Sequence, residues 1–474
     1  MTWRTVLPCT LVLTILAGGM RFYRLGTYSF GNDELATLAE TVAMFEPGSV
    51  PQDSDEEFSE EGQGHRLPRI LPVGYAFHYL GYQLFGRDEF GSRAMMAVLG
   101  TLTVLLVFLA LIKPLGMPTA FATAMLVALW PEHLFHSQNH RFYITAGFFS
   151  AVAMLFGSLA IERKSVTLIT IACVASLLSI GCQTLQGVMI GGLFVGIVAG
   201  YLAKKESLPW KMLAVIVGTG VLALLFLVFY LLPLIKGWNQ GEQWGYSSSR
   251  SLLASVSQIG WPVVVLAVPG AVALWVRNRA QALYWLVFVT IWGVSSVLFP
   301  RLVTYHPAYA FPQALSVVVL AGSLLGTIHD SLKERSRVLA ALALLAGCGL
   351  NLPAVASHFR DGGKHDYRGA AVYIAEHRQT GDAVATVSKG MLLHYNPDLK
   401  DAIALEVDPL PQLKEMLPAK QRTWIVTTTG RSGYPDDLID FLGQHCHHMA
   451  ELRKRRFDYY EYRVDIYLHD PKKN

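Results

Sequence analysis

The feature that most constrains this chain is a series of eleven apolar stretches, each close to the length of a membrane-spanning helix. A transmembrane helix needs about 20 predominantly apolar residues, and 52% of the chain is hydrophobic while only 16% is charged. A soluble globular domain of this length is excluded, and a polytopic α-helical membrane protein is predicted. The stretches are 5–20, 93–112, 118–136, 143–161, 166–182, 186–202, 211–232, 259–276, 281–299, 309–328 and 337–356.

The distribution of Lys and Arg predicts the orientation of these spans. Basic residues recur in every second loop, as the positive-inside rule requires of cytoplasmic loops. We therefore expect a cytoplasmic N-terminus, an outward first loop at 21–92 and an extracytoplasmic C-terminus. Residues 1–20 are interpreted as a retained first span, with a signal peptide as the alternative. The basic residues are Lys113; Arg163 and Lys164; Lys204, Lys205 and Lys211; Arg277 and Arg279; and Lys333, Arg335 and Arg337.

Residues 69–85, RILPVGYAFHYLGYQLF, are apolar enough to suggest a further span. Counting them as one would invert every later loop and place the basic clusters outside the cell. The segment is also short, aromatic and interrupted by Pro72, Gly74 and Gly81. We interpret it as an interfacial helix on the outer leaflet, which leaves about eleven transmembrane helices.

The composition changes near residue 358, where helical and β-branched segments begin to alternate. DYRGAAVYIAEHR is followed by GDAVATV, and later TWIVTTTG by DDLIDFLGQH. This alternation is typical of an α/β domain. The predicted organisation is a transmembrane domain at 1–357 and a small extracytoplasmic α/β domain at 358–474.

Two adjacent carboxylates follow the first span, in the segment FGNDELATLAE that contains Asp33 and Glu34. Ionisable groups at a membrane edge are functional candidates by default. A purely structural role is the alternative, since acidic residues at the start of a helix cap its free N–H groups. The two roles are compatible with each other.

Four motifs in this order resemble those of GT-C glycosyltransferases of the protein O-mannosyltransferase and lipid A aminoarabinose-transferase type. The first is the Asp-Glu pair after the first span, and the second is LGYQLFGRDEFGSRAMMAVLGTLTVLLVF. WPEHLFHSQNHRFY (130–143) is similar to the family's Pro…Ser-Arg-Glu-Ala-Arg-x-Tyr loop, and FPRLVTYHPAYAFPQAL to its Arg-Tyr-Leu-x-Pro helix entrance. The resemblance implies transfer of a sugar from a polyprenyl-phosphate donor to a hydroxyl of a glycan, lipid or protein outside the cytoplasm.

The chain departs from the family pattern at three places. Asn139 stands where many relatives have an acidic residue, and HRLPRI (65–70) replaces the usual His-Pro-Pro-Leu. The acidic run at 52–64 matches no part of the pattern and is predicted to be a solvated loop. Glu132 could replace the acid missing at Asn139, but pairing with His133 or an Arg is the preferred interpretation.

The resemblance implies two groups of site residues. Asp33 is the expected catalytic base and Glu34 the catalytic residue that orients it or the acceptor, in a single displacement that inverts the anomeric carbon. Arg141, Arg301, Tyr143, Arg66, Arg69 and His65 are the expected donor-phosphate ligands, because guanidinium groups bind phosphate bidentately. Contact with lipid headgroups is the alternative for the basic residues, and anchoring at the membrane interface is the alternative for Tyr143.

The sequence predicts no cofactor requirement and no metal site, and it offers no support for a divalent cation. The expected partners are the polyprenyl-phosphate sugar, the acceptor and membrane lipids, with no nucleic acid, in a multi-pass protein of the cell membrane. An oligosaccharide transferase is the nearest alternative. A lipid or glycan flippase and a non-catalytic assembly scaffold are the alternatives from other classes.

Overall fold

The computed structural model describes residues 3–46, 71–232, 248–302, 306–405, 409–417, 421–428, 436–455 and 461–471. His65, Arg66, Arg69 and the acidic run at 52–64 lie outside these ranges. The described residues form two compact units. The first comprises residues 3–25, 40–46 and 71–355, and the second comprises 26–39 and 356–471.

The first unit is helical, and its helices follow the predicted apolar stretches. Eight of the described helices are long and apolar enough to cross a membrane, and one sharply bent pair could form a ninth span. Two shorter apolar helices account for the remaining stretches, so the prediction of a polytopic helical membrane protein is confirmed. The α-helices up to residue 361, of which α2 and α16 are divided between the two units, are α1 (Trp3–Phe22), α2 (Asn32–Phe45), α3 (Pro72–Phe85), α4 (Glu89–Leu115), α5 (Met117–Ala128), α6 (Pro131–Ser137), α7 (Tyr143–Arg163), α8 (Val166–Ile180), α9 (Val188–Lys204), α10 (Trp210–Leu225), α11 (Ser248–Ile259), α12 (Trp261–Arg277), α13 (Arg279–Leu302), α14 (Leu315–Lys333), α15 (Arg337–Cys348) and α16 (Leu352–Asp361).

The predicted span at 118–136 is broken. Helix α5 ends at Ala128, and the short α6 begins at Pro131. Proline has no N–H to donate and disfavours helical backbone in the residue before it. The sequence WPEHLFHS therefore starts a new helix instead of continuing the old one.

Close packing of the helices depends on small residues. Gly322 and Gly326 of α14 lie against α5, where an added Cβ would stand 2.1 Å from Thr123 Oγ1 and 2.2 Å from Thr119 Oγ1. This spacing of two small residues four apart allows helix backbones to approach closely in a membrane. The segment GSLLG thus fixes the contact between α5 and α14.

The segment at 69–85 contains α3, which is 14 residues long. It is not among the helices of the described residues that could cross a membrane. One face of α3 carries Tyr75, His78 and Tyr82, which are buried in the first unit.

The second unit contains a five-stranded sheet in the order β2-β1-β3-β5-β4. The first three strands are parallel, while β5 is antiparallel to β3 and β4 is antiparallel to β5. The predicted α/β fold of the C-terminal region is confirmed. The strands are β1 (Ala383–Thr386), β2 (Ile403–Ala404), β3 (Thr423–Thr428), β4 (His447–Arg455) and β5 (Glu461–His469), and the helices are α17 (Tyr367–His377), α18 (Lys389–Tyr395), α19 (Leu410–Met416) and α20 (Asp436–His445).

Alternating apolar residues give this sheet a core on each face. Val384, Trp424 and Val426 pack with Ile374 of α17 in one cluster. Their chain neighbours Ala385 and Ile425 pack with residues of α19 and α20 in a second cluster. Because successive strand residues face opposite sides, a short strand can be buried on both.

Candidate active site

The two acidic residues at the start of α2 have different environments within the second unit. The side chain of Asp33 is exposed, whereas Glu34 is 2% exposed. The Glu34 carboxylate accepts a hydrogen bond from the Gly31 N–H at 3.0 Å and one from Lys364 Nζ at 2.7 Å. Glu34 therefore provides a contact to a backbone N–H at the start of the helix, and Asp33 is exposed.

A buried tyrosine lies close to Asp33 in the same unit. Burial raises the pKa of Tyr367, hydrogen bonds with Ser388, Thr428 and Asn32 act in the opposite direction, and the charge of Asp33 raises it further. The Tyr367 hydroxyl oxygen is 3.2 Å from Ser388 Oγ. This phenol stays protonated at neutral pH and is available as a hydrogen-bond donor beside the acidic motif.

Ser388 and Thr428 lie at the carboxyl ends of two neighbouring parallel strands. Ser388 follows β1, and Thr428 is the last residue of β3. The connection after β1 leads to β2 on one side of the sheet, and β5 lies on the far side of β3. Crevices in open α/β sheets form at such points. The Asp33 motif is thus associated with the polar edge of this sheet.

In the first unit, Arg141 lies in a cluster with Tyr75 and Glu40. The Tyr75 hydroxyl donates a hydrogen bond to the Glu40 carboxylate. Burial and the adjacent Glu40 raise the pKa of Tyr75, and the charge of Arg141 counteracts this rise. The Arg141 guanidinium stands 4.7 Å from the centre of the Phe142 ring. The cluster holds a cation at the start of α7.

Tyr143 connects two of the sequence motifs. Its ring centroid is 4.8 Å from that of His136 and 6.1 Å from that of Tyr309. Tyr309 belongs to the 3-10 helix Pro307–Ala314, which precedes α14. His136 also contacts Phe311 of the same helix, with ring centroids 4.9 Å apart. The fold therefore brings the 130–143 motif against the late motif at 299–315.

Arg301, the second arginine predicted to bind the donor phosphate, lies at the end of α13. Its side chain is exposed, and its Nε donates to Ser248 Oγ at the start of α11 over 2.9 Å. Arg141 is only partly exposed. The two arginines thus differ in exposure and in partners.

Glu132 pairs with a histidine, as the preferred interpretation of the sequence held, although the partner differs from the expected one. The carboxylate is fully buried and lies 3.0 Å from His136 Nε2, one helical turn away. The prediction named His133 or an arginine. His133 instead takes a hydrogen bond on Nδ1 from the buried Arg21, at 2.8 Å. The spacing of four residues along α6 favours His136.

Several buried residues of this region are not among the site residues predicted from the sequence. The Tyr82 hydroxyl is hydrogen-bonded to the ring of His140, whose Nδ1 lies 2.8 Å from the Ser92 carbonyl oxygen. His78 packs on His140 with ring centroids 4.1 Å apart. Tyr75, His78 and Tyr82 follow the three- and four-residue spacing of one helix face, so their common burial could have been predicted.

No group of three or more His, Cys, Asp or Glu side chains in the described ranges is arranged to hold a metal ion. The acidic run at 52–64 lies outside those ranges. The prediction of no metal requirement therefore stays a prediction.

An apolar groove of about 460 Å³ opens among α8, α9 and α10. Three of its lining residues are glycines, which leave space beside the helix backbones. One of the glycines is in the MIGGLFVGIVAG segment of α9. The lining residues are Ile180, Thr184, Gly187, Ile190, Gly191, Phe194, Ile216, Val217, Gly220, Ala223, Leu224 and Leu227.

Comparison with known proteins identifies the fold. No protein-family model and no curated protein sequence matches the chain. Among solved structures, ArnT from Cupriavidus metallidurans in the apo state matches with a TM-score of 0.58 over 99% of each chain, at 14% identity. The chain has the GT-C fold.

Two further structures support this assignment. ArnT from Cupriavidus metallidurans bound to undecaprenyl phosphate has a TM-score of 0.53 over 97% of each chain, at 13% identity. The Archaeoglobus fulgidus oligosaccharyltransferase in complex with Zn and sulfate has a TM-score of 0.52 at 13% identity. That match covers 89% of this chain and 68% of the other. The resemblance seen in the sequence motifs is confirmed at the level of the fold.

Proposed function

We propose that this chain is a membrane glycosyltransferase that transfers a sugar from a polyprenyl-phosphate donor to a hydroxyl of a glycan, lipid or protein. The observation that carries the proposal is the likeness, over 97% of both chains, to an ArnT structure bound to undecaprenyl phosphate. The alternation of basic loops supports a reaction at the extracytoplasmic face of the cell membrane.

Asp33 is the proposed base. An exposed carboxylate can reach an acceptor hydroxyl, whereas the carboxylate of Glu34 is buried and bonded to Lys364. Two adjacent acids in different environments can take different roles. Asp33 takes the proton, and Glu34 orients the start of α2.

Arg141 is the proposed main ligand of the donor phosphate, together with Tyr143. A guanidinium keeps its charge at a low-dielectric edge and binds phosphate oxygens in pairs. Arg301, His65, Arg66 and Arg69 are proposed as further contacts to the same phosphate. Binding to lipid headgroups is the competing role for these four residues.

The transfer is a single displacement. The acceptor oxygen forms a bond to the anomeric carbon as the bond from that carbon to the phosphate oxygen breaks. The electron pair of the broken bond stays on the phosphate, and the acceptor proton passes to Asp33. A phosphate monoester is stable as an anion, so a base and cationic groups are needed more than a strong acid. The anomeric configuration inverts.

The apolar groove among α8, α9 and α10 suits part of the polyprenyl tail. Its walls are aliphatic and aromatic apart from Thr184. An added Cβ on Gly187 or Gly191 would meet no atom within 4 Å. A hydrocarbon chain can therefore lie directly against the helix backbone there.

The test is transfer from a panel of short-chain polyprenyl-phosphate sugars in nanodiscs, comparing wild type with Asp33→Asn. Asp401→Asn is the matched control, because Asp401 is an exposed acid of the same unit that pairs with Arg378. We expect wild type and control to transfer one sugar and Asp33→Asn to lose roughly 10²-fold or more of the rate, within the range of general-base catalysis.

Other outcomes separate the alternatives. Equal rates in wild type and Asp33→Asn would remove Asp33 as the base. Transfer of assembled glycans alone would favour an oligosaccharide transferase. Lipid movement across the bilayer without sugar transfer would favour a flippase. The absence of both sugar transfer and donor binding would favour a scaffold.

A further inference from the structure

We propose that Lys364 is a positioning residue for the reaction, which fixes the Asp33 motif on the C-terminal part of the second unit through its ion pair with Glu34. This inference rests on the proposed function, because it concerns the placement of the proposed base. It assigns a role to the C-terminal domain that the sequence left open.

The ion pair between Lys364 and Glu34 is short and largely shielded from solvent. Lys364 Nζ lies 2.7 Å from Glu34 Oε2, and the two side chains are 9% and 2% exposed. Exposed ion pairs contribute little because water screens them. A buried pair is different, since loss of one partner leaves an uncompensated charge in a low-dielectric site. The pair therefore strongly favours one placement of Glu34.

The segment before Asp33 is attached to the same part of the unit by further hydrogen bonds. Four successive residues are each bonded to residues that lie more than 300 positions later in the chain. The bonds join Thr27 O to Arg368, the Tyr28 hydroxyl to Phe359 O at 2.6 Å, Ser29 Oγ to His365 O at 2.6 Å, and the Phe30 N–H to the Tyr395 hydroxyl at 2.6 Å. The structure thus ties residues 27–34 to residues 359–395 within one compact unit.

These contacts determine the rotation of the start of α2. Successive residues of a helix project in directions about 100° apart, so fixing Glu34 inward leaves Asp33 outward. The Gly31 N–H bond to Glu34 and the Thr37 hydroxyl bond to the Asp33 carbonyl oxygen hold this first turn. Because misplacement of a reacting group by about 1 Å can cost about 10²-fold in rate, the Lys364 pair affects the chemical step.

A direct role of Lys364 in binding the donor phosphate is the main alternative. The Lys364 side chain is only 9% exposed and is bonded to a carboxylate, which favours positioning over phosphate binding. The two roles predict different kinetics. A phosphate ligand affects the donor KM, whereas a residue that places the base affects kcat at an unchanged donor KM.

The experiment compares Lys364→Met with Lys364→Arg and with the charge swap Glu34→Lys/Lys364→Glu, in the full-length protein in nanodiscs. We expect Lys364→Met to lower kcat about 100-fold with donor KM within about threefold. Lys364→Arg should restore kcat to within about tenfold of wild type, because the charge is retained while the head group is larger. The charge swap should have a higher kcat than either Glu34→Lys or Lys364→Glu alone.

Hydrogen exchange provides a readout that does not depend on turnover. We expect peptides covering residues 26–39 to exchange at least about tenfold faster in Lys364→Met, as local opening becomes easier. Tyr395→Phe removes the acceptor of the Phe30 N–H while leaving the Lys364–Glu34 pair in place, and should give a smaller change of the same kind. Arg378→Met is the control, since it breaks the Arg378–Asp401 pair of the same unit and should leave residues 26–39 unchanged.

The outcomes distinguish this inference from the proposed function. If the wild type transfers no sugar from any donor but hydrogen exchange is faster in Lys364→Met, the proposed function is overturned and the anchoring of residues 26–39 is retained. An active wild type with unchanged exchange and unchanged kcat in Lys364→Met would overturn the positioning role. A rise in donor KM at unchanged kcat would also overturn it, in favour of phosphate binding. If Lys364→Met does not fold, Tyr395→Phe and the charge swap decide by the same criteria.

Discussion

At the scale of single residues, chemically similar groups differ because of their surroundings. Asp33 and Glu34 are adjacent carboxylates, yet one is exposed and the other is buried against Lys364. Arg141 and Arg301 are both predicted phosphate ligands, yet Arg141 lies beside Tyr75 and Phe142 while Arg301 is exposed beside Ser248. Environment, more than residue type, separates their expected contributions.

We predict that Arg141 contributes more to donor use than Arg301 does. Arg141→Ala should lower kcat/KM about 100-fold, and Arg141→Lys about tenfold, because lysine keeps the charge but loses bidentate binding. Arg301→Ala should lower it by less than about threefold, since an exposed contact is screened by water. Steady-state transfer with a single polyprenyl-phosphate sugar measures all three variants. A larger loss in Arg301→Ala than in Arg141→Ala would contradict the ranking.

At the scale of helices, breaks and small residues shape the first unit. The chain breaks at Trp130 before Pro131, and α11 and α12 meet at an angle of 88°. Gly260 lies at that bend with a φ of 95°, a conformation that favours glycine. Breaks in a membrane helix expose backbone groups and are tolerated where other protein groups surround them.

We predict that filling the apolar groove impairs the use of long-chain donors. In Gly191→Leu the new side chain would occupy the groove without a clash, because no atom lies within 4 Å of an added Cβ. The KM for an undecaprenyl-phosphate sugar should rise roughly tenfold through lost apolar burial, and that for a short-chain donor should not change. Gly218→Leu on α10 is the control, since its Cβ also meets nothing and Gly218 does not line the groove. Equal effects on both donors would place the tail elsewhere.

We predict that Gly322 is required for the packing of α5 on α14. Gly322→Leu should lower the midpoint of thermal unfolding in detergent by several degrees, because an added Cβ would meet the Thr123 backbone nitrogen at 2.9 Å as well as its hydroxyl. Overpacking of this kind costs about 1–3 kcal/mol or more. Gly293→Leu has open space at its Cβ and provides the comparison. An unchanged midpoint in Gly322→Leu would show that the two helices can separate at no cost.

At the scale of the whole molecule, the pattern of basic loops predicts the orientation of the protein in the membrane. Cysteine labelling can test this orientation. All five native cysteines are free thiols, and Cys9 is the one that is not in a buried position. In a Cys9→Ser background, Arg335→Cys and Lys400→Cys each introduce one exposed thiol.

We predict that these two thiols react from opposite sides of the membrane. A membrane-impermeant maleimide added to intact cells should label Lys400→Cys and leave Arg335→Cys unlabelled until the membrane is opened. The reason is that Arg335 lies in a basic loop, which the positive-inside rule assigns to the cytoplasm. Labelling of Arg335→Cys in intact cells would reverse the proposed topology.

Much of the architecture was predictable because its causes are local. The bilayer requires spans of a certain length and apolarity, so the run at 143–161 predicted α7 without any knowledge of its neighbours. Asp33, Arg141 and Tyr143 could be singled out because they stand in short motifs beside such runs. The break after Ala128 was missed, although Pro131 carries the signal for it.

The sequence by itself determined that the chain is a polytopic helical membrane protein with an α/β C-terminal region, and it indicated the acidic motif. Only the tertiary structure decided which of the two acids is buried and what holds it. Lys364 and Glu34 are 330 positions apart, and Tyr75 reaches Glu40 only through the placement of α3. Patterns of hydropathy and charge predict structure over about the length of one helix. Contacts between residues far apart in the chain depend instead on how distant segments pack.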